Sequence, residues 1–212
     1  MIGLIIIGYH KKDSFCHSGI VETIYNEYKI RRKDVFVIDL YKDKFNPSYQ
    51  EKNKELIKIY QEKIKEASHI YFVSPVWWFR CTAMLEGFFD QIFTPGFAYR
   101  FRQITKTYGI PSPLLSDKKV FFYLTHGAPA LPVMTIYCNA VALRLSLGLL
   151  SFVFGWFKSS IRQFFSVPFC SDERRAKYLK RVEKDVADQI NRTNENEWFN
   201  TLEFRSMMGK YR

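Results

Sequence analysis

The chain opens on Ile2-Gly-Leu-Ile-Ile-Ile-Gly8, a β-branched run with no polar alternation. An uninterrupted apolar strand has both faces covered, which is the condition of a central strand in a parallel sheet flanked by helices. From Ser14 onward Ile20, Val21, Ile24, Tyr25 and Tyr28 recur at steps of three and four, so a short loop and an amphipathic helix follow. Val35 to Asp39 gives a second strand and Glu51 to Ala67 a helix with Leu56, Tyr60, Ile64 and Ala67 on its apolar face. His69 to Ser74 is a third strand, and Thr82 to Phe93 a helix with Leu85, Phe89, Ile92 and Phe93 on one face. Lys119 to Leu124 is a fourth strand, followed by a weakly patterned helix around residues 132–148. Ile161 to Val167 is a fifth strand, and Asp172 to Ile190 a last helix lined by Tyr178, Leu179, Val182, Val186 and Ile190. Ser171 with Asp172 and Glu173 suits the start of that helix.

Strands alternating with helices require right-handed crossovers between parallel neighbours, so the expectation is an α/β fold with a five-stranded parallel sheet and helices on both faces. Residues 1–190 form one domain on this reading, and 191–212 a polar tail that either packs through Trp198 and Phe199 or stays mobile. Enough apolar surface is available: 47% of the residues, with 20 Phe, 13 Tyr and 4 Trp, fill one core and argue against disorder. The run Leu145 to Phe157 is shorter than the ~20 residues that span a bilayer and reads as buried core. Met1 to Gly8 lacks the basic flank and length of a signal peptide, which favours a cytoplasmic protein. Cysteines 16, 81, 138 and 170 show no CxxC spacing and no companion histidines, so reduced thiols and no metal site are expected. A net charge of +11 favours anionic ligands, but the lysines at 52, 54, 58, 63 and 65 are spread along a helix and no dense basic tract marks a nucleic-acid partner.

Ligands of such sheets bind beyond the carboxyl ends of the strands, near the topological switch point. Three loops therefore matter. The first, Gly8-Tyr-His-Lys-Lys-Asp-Ser-Phe-Cys16, leads into a helix N-terminus whose free N–H groups suit a phosphate, with a hydroxyl from Ser14 and positive charge from His10, Lys11 and Lys12. Ser14 also fits a simple helix cap. Neither a nucleoside-triphosphate loop nor the dinucleotide glycine fingerprint is present. The second loop, Ser74-Pro-Val-Trp-Trp-Phe-Arg80, sets three aromatics beyond a strand end, where they cannot all point inward and can wall a planar ligand. The third, Thr125-His-Gly-Ala-Pro129, carries a glycine that lets backbone approach a ligand.

The block Ser74-Pro-Val-Trp-Trp-Phe79 followed by Ala83-Met-Leu-Glu-Gly-Phe-Phe-Asp-Gln-Ile-Phe-Thr-Pro-Gly-Phe-Ala-Tyr99 resembles the signature of NAD(P)H:quinone oxidoreductases of the flavodoxin-like superfamily. Gly8-Tyr-His with Ser14-Phe15, Asp39-Leu-Tyr with Phe45-Asn-Pro47, and Ser171-Asp-Glu-Arg-Arg with Tyr178-Leu179 extend the likeness over about residues 1–190, nearest to bacterial NAD(P)H dehydrogenases and ancillary subunits of potassium-efflux systems. The resemblance implies a flavin, FMN or FAD, reduced by NAD(P)H and reoxidised by a quinone-like acceptor in a ping-pong cycle. It places the flavin phosphate on His10, Ser14, Phe15 and Cys16. One side of the ring falls on Pro75, Val76, Trp77, Trp78 and Phe79, and the other edge on Thr125, His126, Gly127 and Ala128. His126 and Tyr137 are the candidates for catalytic side chains, and a homodimer is implied. The alternative is a flavin-binding regulatory subunit with little turnover, held at the periphery of a membrane transporter. Two positions depart from the family pattern: Thr82 stands where proline is usual and Glu86 where lysine is usual.

Overall fold

The computed structural model describes residues 1–156 and 159–209, with side chains up to Thr193. Strand β1 (Ile2–Ile7) is followed by a π-helical segment, Phe15–Val21, that runs directly into α1 (Glu22–Ile30). Next come β2 (Asp34–Asp39), α2 (Lys54–Glu66), β3 (His69–Pro75) and α3 (Ala83–Ile92). A two-stranded antiparallel hairpin, β4 (Tyr99–Gln103) and β5 (Gly109–Pro113), precedes β6 (Lys119–Thr125). The helix expected around 132–148 is instead a broken series: α4 (Ala130–Met134), α5 (Ala140–Arg144), a π-helical segment Leu145–Leu150 and α6 (Ser151–Val153). The break falls at Cys138 and Asn139, whose φ of 47° and 48° leave the helical region. Strand β7 (Ser159–Phe164) and α7 (Asp172–Gly209) complete the chain.

The five parallel strands lie in the order β2-β1-β3-β6-β7, so the direction of winding reverses between β1 and β3. That is the α/β arrangement expected, with the switch point at the ends of the loops singled out above. The fifth strand starts two residues earlier and ends three residues earlier than expected, because Ser166 takes a left-handed φ of 53° and Val167 enters a turn of 3-10 helix. The last helix does not stop at Ile190 but runs to Gly209; the packing of Trp198 and Phe199 lies outside the described side chains.

Each face of the sheet has its own core. On one, Phe72 stacks on Phe122 with centroids 4.6 Å apart and meets Phe88, Phe89 and Phe93 edge-on, all buried. On the other, Ile5, Ile7, Tyr71 and Tyr123 pack under Ile20, Ile24 and Tyr28 of the first helical run and Val182, Val186 and Ile190 of α7. Tyr28 and Tyr71 share a hydrogen bond of 3.1 Å, so neither buried hydroxyl is orphaned. The apolar run 145–157 is only half buried: Leu145, Leu150, Val153 and Phe154 face the core, whereas Leu147, Phe152 and Trp156 are exposed and Phe157 lies outside the described residues. Among the described residues no helix is long and apolar enough to cross a membrane, and no group of side chains has the make-up of a metal site.

Candidate functional site

At the carboxyl ends of β1, β3 and β6, three loops meet around a cleft of about 700 Å³. That volume lies within the ~300–1,000 Å³ of small-molecule and cofactor sites.

Loop one is built to present backbone. Gly8 is closely surrounded: a β-carbon there would sit 3.0 Å from the Leu85 backbone nitrogen and 3.1 Å from the Thr82 hydroxyl, so a side chain would press on the start of α3. Thr82 donates its hydroxyl to the Gly8 carbonyl at 2.6 Å and accepts from Leu85 N–H at 3.4 Å, so it caps α3 and pins the loop at once. A proline at 82 could make neither bond. The carbonyl of Tyr9 accepts a 2.6 Å hydrogen bond from Nε2 of buried His17, which fixes the loop against the helix it precedes. Burial holds the His17 pKa below its ordinary value although that carbonyl opposes the shift. Ser14 is the N-cap, accepting from His17 N–H at 3.3 Å. Phe15 and Cys16, whose N–H groups have no preceding turn to bond, both line the cleft. The Cys16 thiol points away into the core, 3.4 Å from the Thr125 hydroxyl, with burial pushing its pKa up to about 11. It is a neutral packing group, not a nucleophile.

Loop two turns back on itself through Trp77, whose N–H donates to the Arg80 carbonyl at 2.9 Å and whose carbonyl accepts from Arg80 N–H at 3.1 Å. The two central residues, Trp78 and Phe79, have φ of 49° and 59°. This is a left-handed turn normally made with Gly or Asn, and each bulky residue in it costs about 1–2 kcal/mol. Pro75, Val76 and Trp77 line the cleft. Trp78 does not; it is 89% exposed. Phe79 lies against Tyr137 at 4.6 Å, outside the cleft wall. The turn is fastened from behind by Glu86, which accepts from Cys81 N–H at 2.9 Å and pairs with Arg144 of α5. Burial raises the Glu86 pKa, against the pull of Arg144. The acid that replaces a customary lysine is thus a structural clamp.

Loop three contributes Thr125, His126 and Gly127 to the cleft, while Ala128 stands outside it and accepts a backbone hydrogen bond from Ser166. Val76 N–H donates to the Thr125 carbonyl at 2.8 Å and so joins loops two and three. A β-carbon at Gly127 would meet nothing within 4 Å, which leaves an open ledge where a flat ligand edge can approach the backbone. His126 is buried, donates from Nε2 to the Gln163 side-chain oxygen at 2.9 Å and stacks on Phe165 at 4.8 Å. Burial lowers its pKa, only partly opposed by Gln163, so the imidazole is neutral near pH 7. Tyr137, the other candidate catalytic side chain, stands beside the aromatic turn and not in the cleft.

Of the phosphate candidates, Ser14, Phe15 and Cys16 line the cleft together with Lys11, whose ammonium lies 3.8 Å from the carboxylate of Asp13, also in the lining, while His10 turns aside onto Tyr9 and Tyr41, with ring centroids 5.0 and 5.6 Å away. Lys12 is engaged by Asp39 at the end of β2. Sequence reasoning missed the far wall: Val167 and Pro168 after β7, and Arg175 and Leu179 of α7. Arg175 donates to the carbonyls of Val167 and Pro168 at 3.4 and 3.5 Å, and its Nε is buried without a partner. The block Ser171 to Leu179 holds these residues, yet nothing in its spacing says which side of a helix will face a loop 160 positions earlier.

The donors and walls suit a phosphorylated planar cofactor: cationic and N–H groups on one side, aromatic and aliphatic surface on another, and a bare backbone ledge at Gly127. A family of proteins with the flavodoxin-like fold matches residues 3–186, and the chain belongs to it. A NAD(P)H dehydrogenase [quinone] 1 from Cavia porcellus is 27% identical over 154 residues, 60% of this chain and 54% of that one. The chain spans about half the length of the curated relatives it matches. Among solved structures, the NAD(P)H:quinone oxidoreductase from Methanothermobacter marburgensis superposes with a TM-score of 0.74 at 19% identity, covering 89% of this chain and 98% of its own. An FMN-dependent NADH-azoreductase from Bacillus anthracis, solved in complex with FMN, gives 0.69 at 16% identity over 89% and 98%. At such identities these likenesses show the fold.

Proposed function

We propose that this chain is a flavoprotein oxidoreductase that uses NAD(P)H to reduce quinone-like acceptors. The observation that carries the reading is the convergence of three strand-end loops on one cleft at the switch point, each offering the chemistry that one part of a flavin mononucleotide needs. When bound there, FMN (or FAD) would supply the hydride-transfer chemistry between NAD(P)H and the acceptor, in a ping-pong cycle.

The protein's own part is placement. Lys11, the Ser14 hydroxyl and the N–H groups of Phe15 and Cys16 hold a phosphate at the start of the helical run. Pro75, Val76 and Trp77 form the ring wall, with Trp77 44% exposed and so able to meet a second planar molecule. Thr125 and Gly127 bring backbone to the cleft, where N–H donors would favour negative charge on a bound ring edge. His126, neutral and tied to Gln163, holds that loop against β7. Tyr137 is the side chain beside the aromatic turn whose hydroxyl is free to serve an acceptor.

A homodimer fits the same reading. Trp78, Leu131 and Ile136 are 89%, 74% and 75% exposed, and the Phe79–Tyr137 contact joins the segments that carry them into one apolar patch beside the cleft. A cytoplasmic location fits a nicotinamide-dependent enzyme. The regulatory alternative has no separate observation in its favour, since the relatives are named as oxidoreductases.

Steady-state turnover of NADPH or NADH with a soluble benzoquinone tests the activity. Parallel double-reciprocal lines at several quinone concentrations are the expected result. Absence of turnover by a flavin-loaded protein removes the enzyme reading.

A further inference from the structure

The β4–β5 hairpin takes no part in the five-stranded sheet and pairs with no third strand among the described residues. Its five residue pairs and the Ile104 N–H to Tyr108 carbonyl bond of 2.9 Å close its backbone on itself. Most of its side chains beyond Tyr99, by contrast, are exposed, those of the loop and of β4 above all. Phe101, Ile104, Tyr108 and Ile110 are 58%, 57%, 62% and 44% exposed, and Arg100, Arg102 and Lys106 are exposed among them. No Asp or Glu occurs from Gln91 to Ser116, and none of the three cations makes an ion pair among the described residues. Free cations and free apolar groups alternate along a segment whose two strands are paired only with each other.

Two features choose among occupants. Pro111 and Pro113 remove two N–H donors from β5, which makes that edge a poor template for a strand from another chain. Cations alone would suit any polyanion, but the large apolar side chains interleaved with them need an apolar medium just beneath an anionic surface. The headgroup boundary of an anionic bilayer is such a medium: rings and aliphatic chains enter its acyl edge while guanidinium and ammonium groups stay at phosphate level. We propose that this hairpin is a peripheral docking element for anionic lipid surfaces. The excess charge of +11 draws the protein in, and the hairpin sets where it lands.

The test is sedimentation of the full chain with vesicles of phosphatidylglycerol and phosphatidylcholine, against pure phosphatidylcholine, at about 0.1 M salt. Binding is expected to the anionic vesicles only, and it needs no catalytic turnover, so its outcome is independent of the activity proposed above. Each cation near the surface contributes about fivefold, so R100Q/R102Q/K106Q should weaken binding about a hundredfold. F101S/I104S/Y108S should also weaken it, at unchanged net charge. K52Q/K54Q/K58Q removes the same charge from exposed positions on and beside α2 and should stay within about threefold of the parent.

Hydrogen exchange on the unaltered protein gives a readout that needs no variant: vesicles should slow the amides of residues 100–110. Equal losses from both charge-removal variants would show diffuse attraction and overturn the proposal. So would slowing confined to residues 131–137, or a change in solution mass caused by the hairpin variants, which would make the hairpin a contact between copies. Binding to a DNA duplex or polyglutamate-type anion with the apolar variant unimpaired would also overturn it, leaving a plain polyanion surface.

Discussion

The two ends of strand β3 hold the same kinds of side chain and use them in opposite ways. In its body, His69, Tyr71 and Phe72 are buried, ring on ring with Phe121 and Phe122. A few residues on, Trp77, Trp78 and Phe79 leave the sheet through a left-handed turn, and Trp78 stands almost wholly in solvent. Composition is identical in character; the backbone decides. A strand in the middle of a parallel sheet must cover every residue, whereas a turn at its carboxyl end is released from that duty and here holds a left-handed geometry in side chains the core does not need.

Substitutions should separate the two ends. Phe72→Ala empties a site surrounded by Phe88, Phe89, Phe93 and Phe122 and should cost about 3–5 kcal/mol of stability by urea unfolding. His69 tests the buried end by charge. Burial, aided by Lys119 and the N-terminus, lowers its pKa to about 4, against about 6.5 when unfolded. Between those values the unfolded chain carries a proton that the folded chain refuses. Stability is therefore full above about pH 6.5, falls as pH drops, and levels off below about 4 after a loss of roughly 3 kcal/mol. His69→Asn should flatten that slope in unfolding curves taken from pH 7 to 4.

The open end should respond in binding and not in folding. Gly127→Val projects a branched side chain into the space now empty above the ledge and should weaken FMN at least about a hundredfold, roughly 2.7 kcal/mol, with the melting curve of the flavin-free protein unchanged. Retention of flavin would remove loop three from the site. The smallest effect belongs to Trp78: replacement by Gly relieves its φ of 49° and should raise stability by about 1 kcal/mol, while Ala should change it by less than about 0.5. A loss of several kcal/mol in either variant would mean that the ring is packed after all.

The legible part of the molecule follows the same division. The central strands β1, β3 and β6 could be read because each is a short apolar run with almost every residue buried, and the helices because burial imposes a period; the outer strands β2 and β7 are only partly buried. The hairpin β4–β5 could not: no residue of it is buried, it is interrupted by Pro111 and Pro113, and it is held together by backbone pairing that leaves no pattern. The helix sought over 132–148 failed where Cys138 and Asn139 take left-handed conformations for which neither residue type is a signal as strong as glycine. In the site, the loops were legible as loops. Which side chains they turn inward was not, as His10 and Trp78 show, and Arg175 reaches the cleft only through the docking of α7.

One titration addresses the central claim. The purified chain, stripped of any bound nucleotide, is mixed with FMN and followed by the visible spectrum and by fluorescence quenching, with FAD in parallel. The account predicts saturation at one flavin per chain, with the ring absorbance shifted by the walls of loops two and three. A chain that stays colourless after gel filtration with either flavin would contradict it and leave only the sheet.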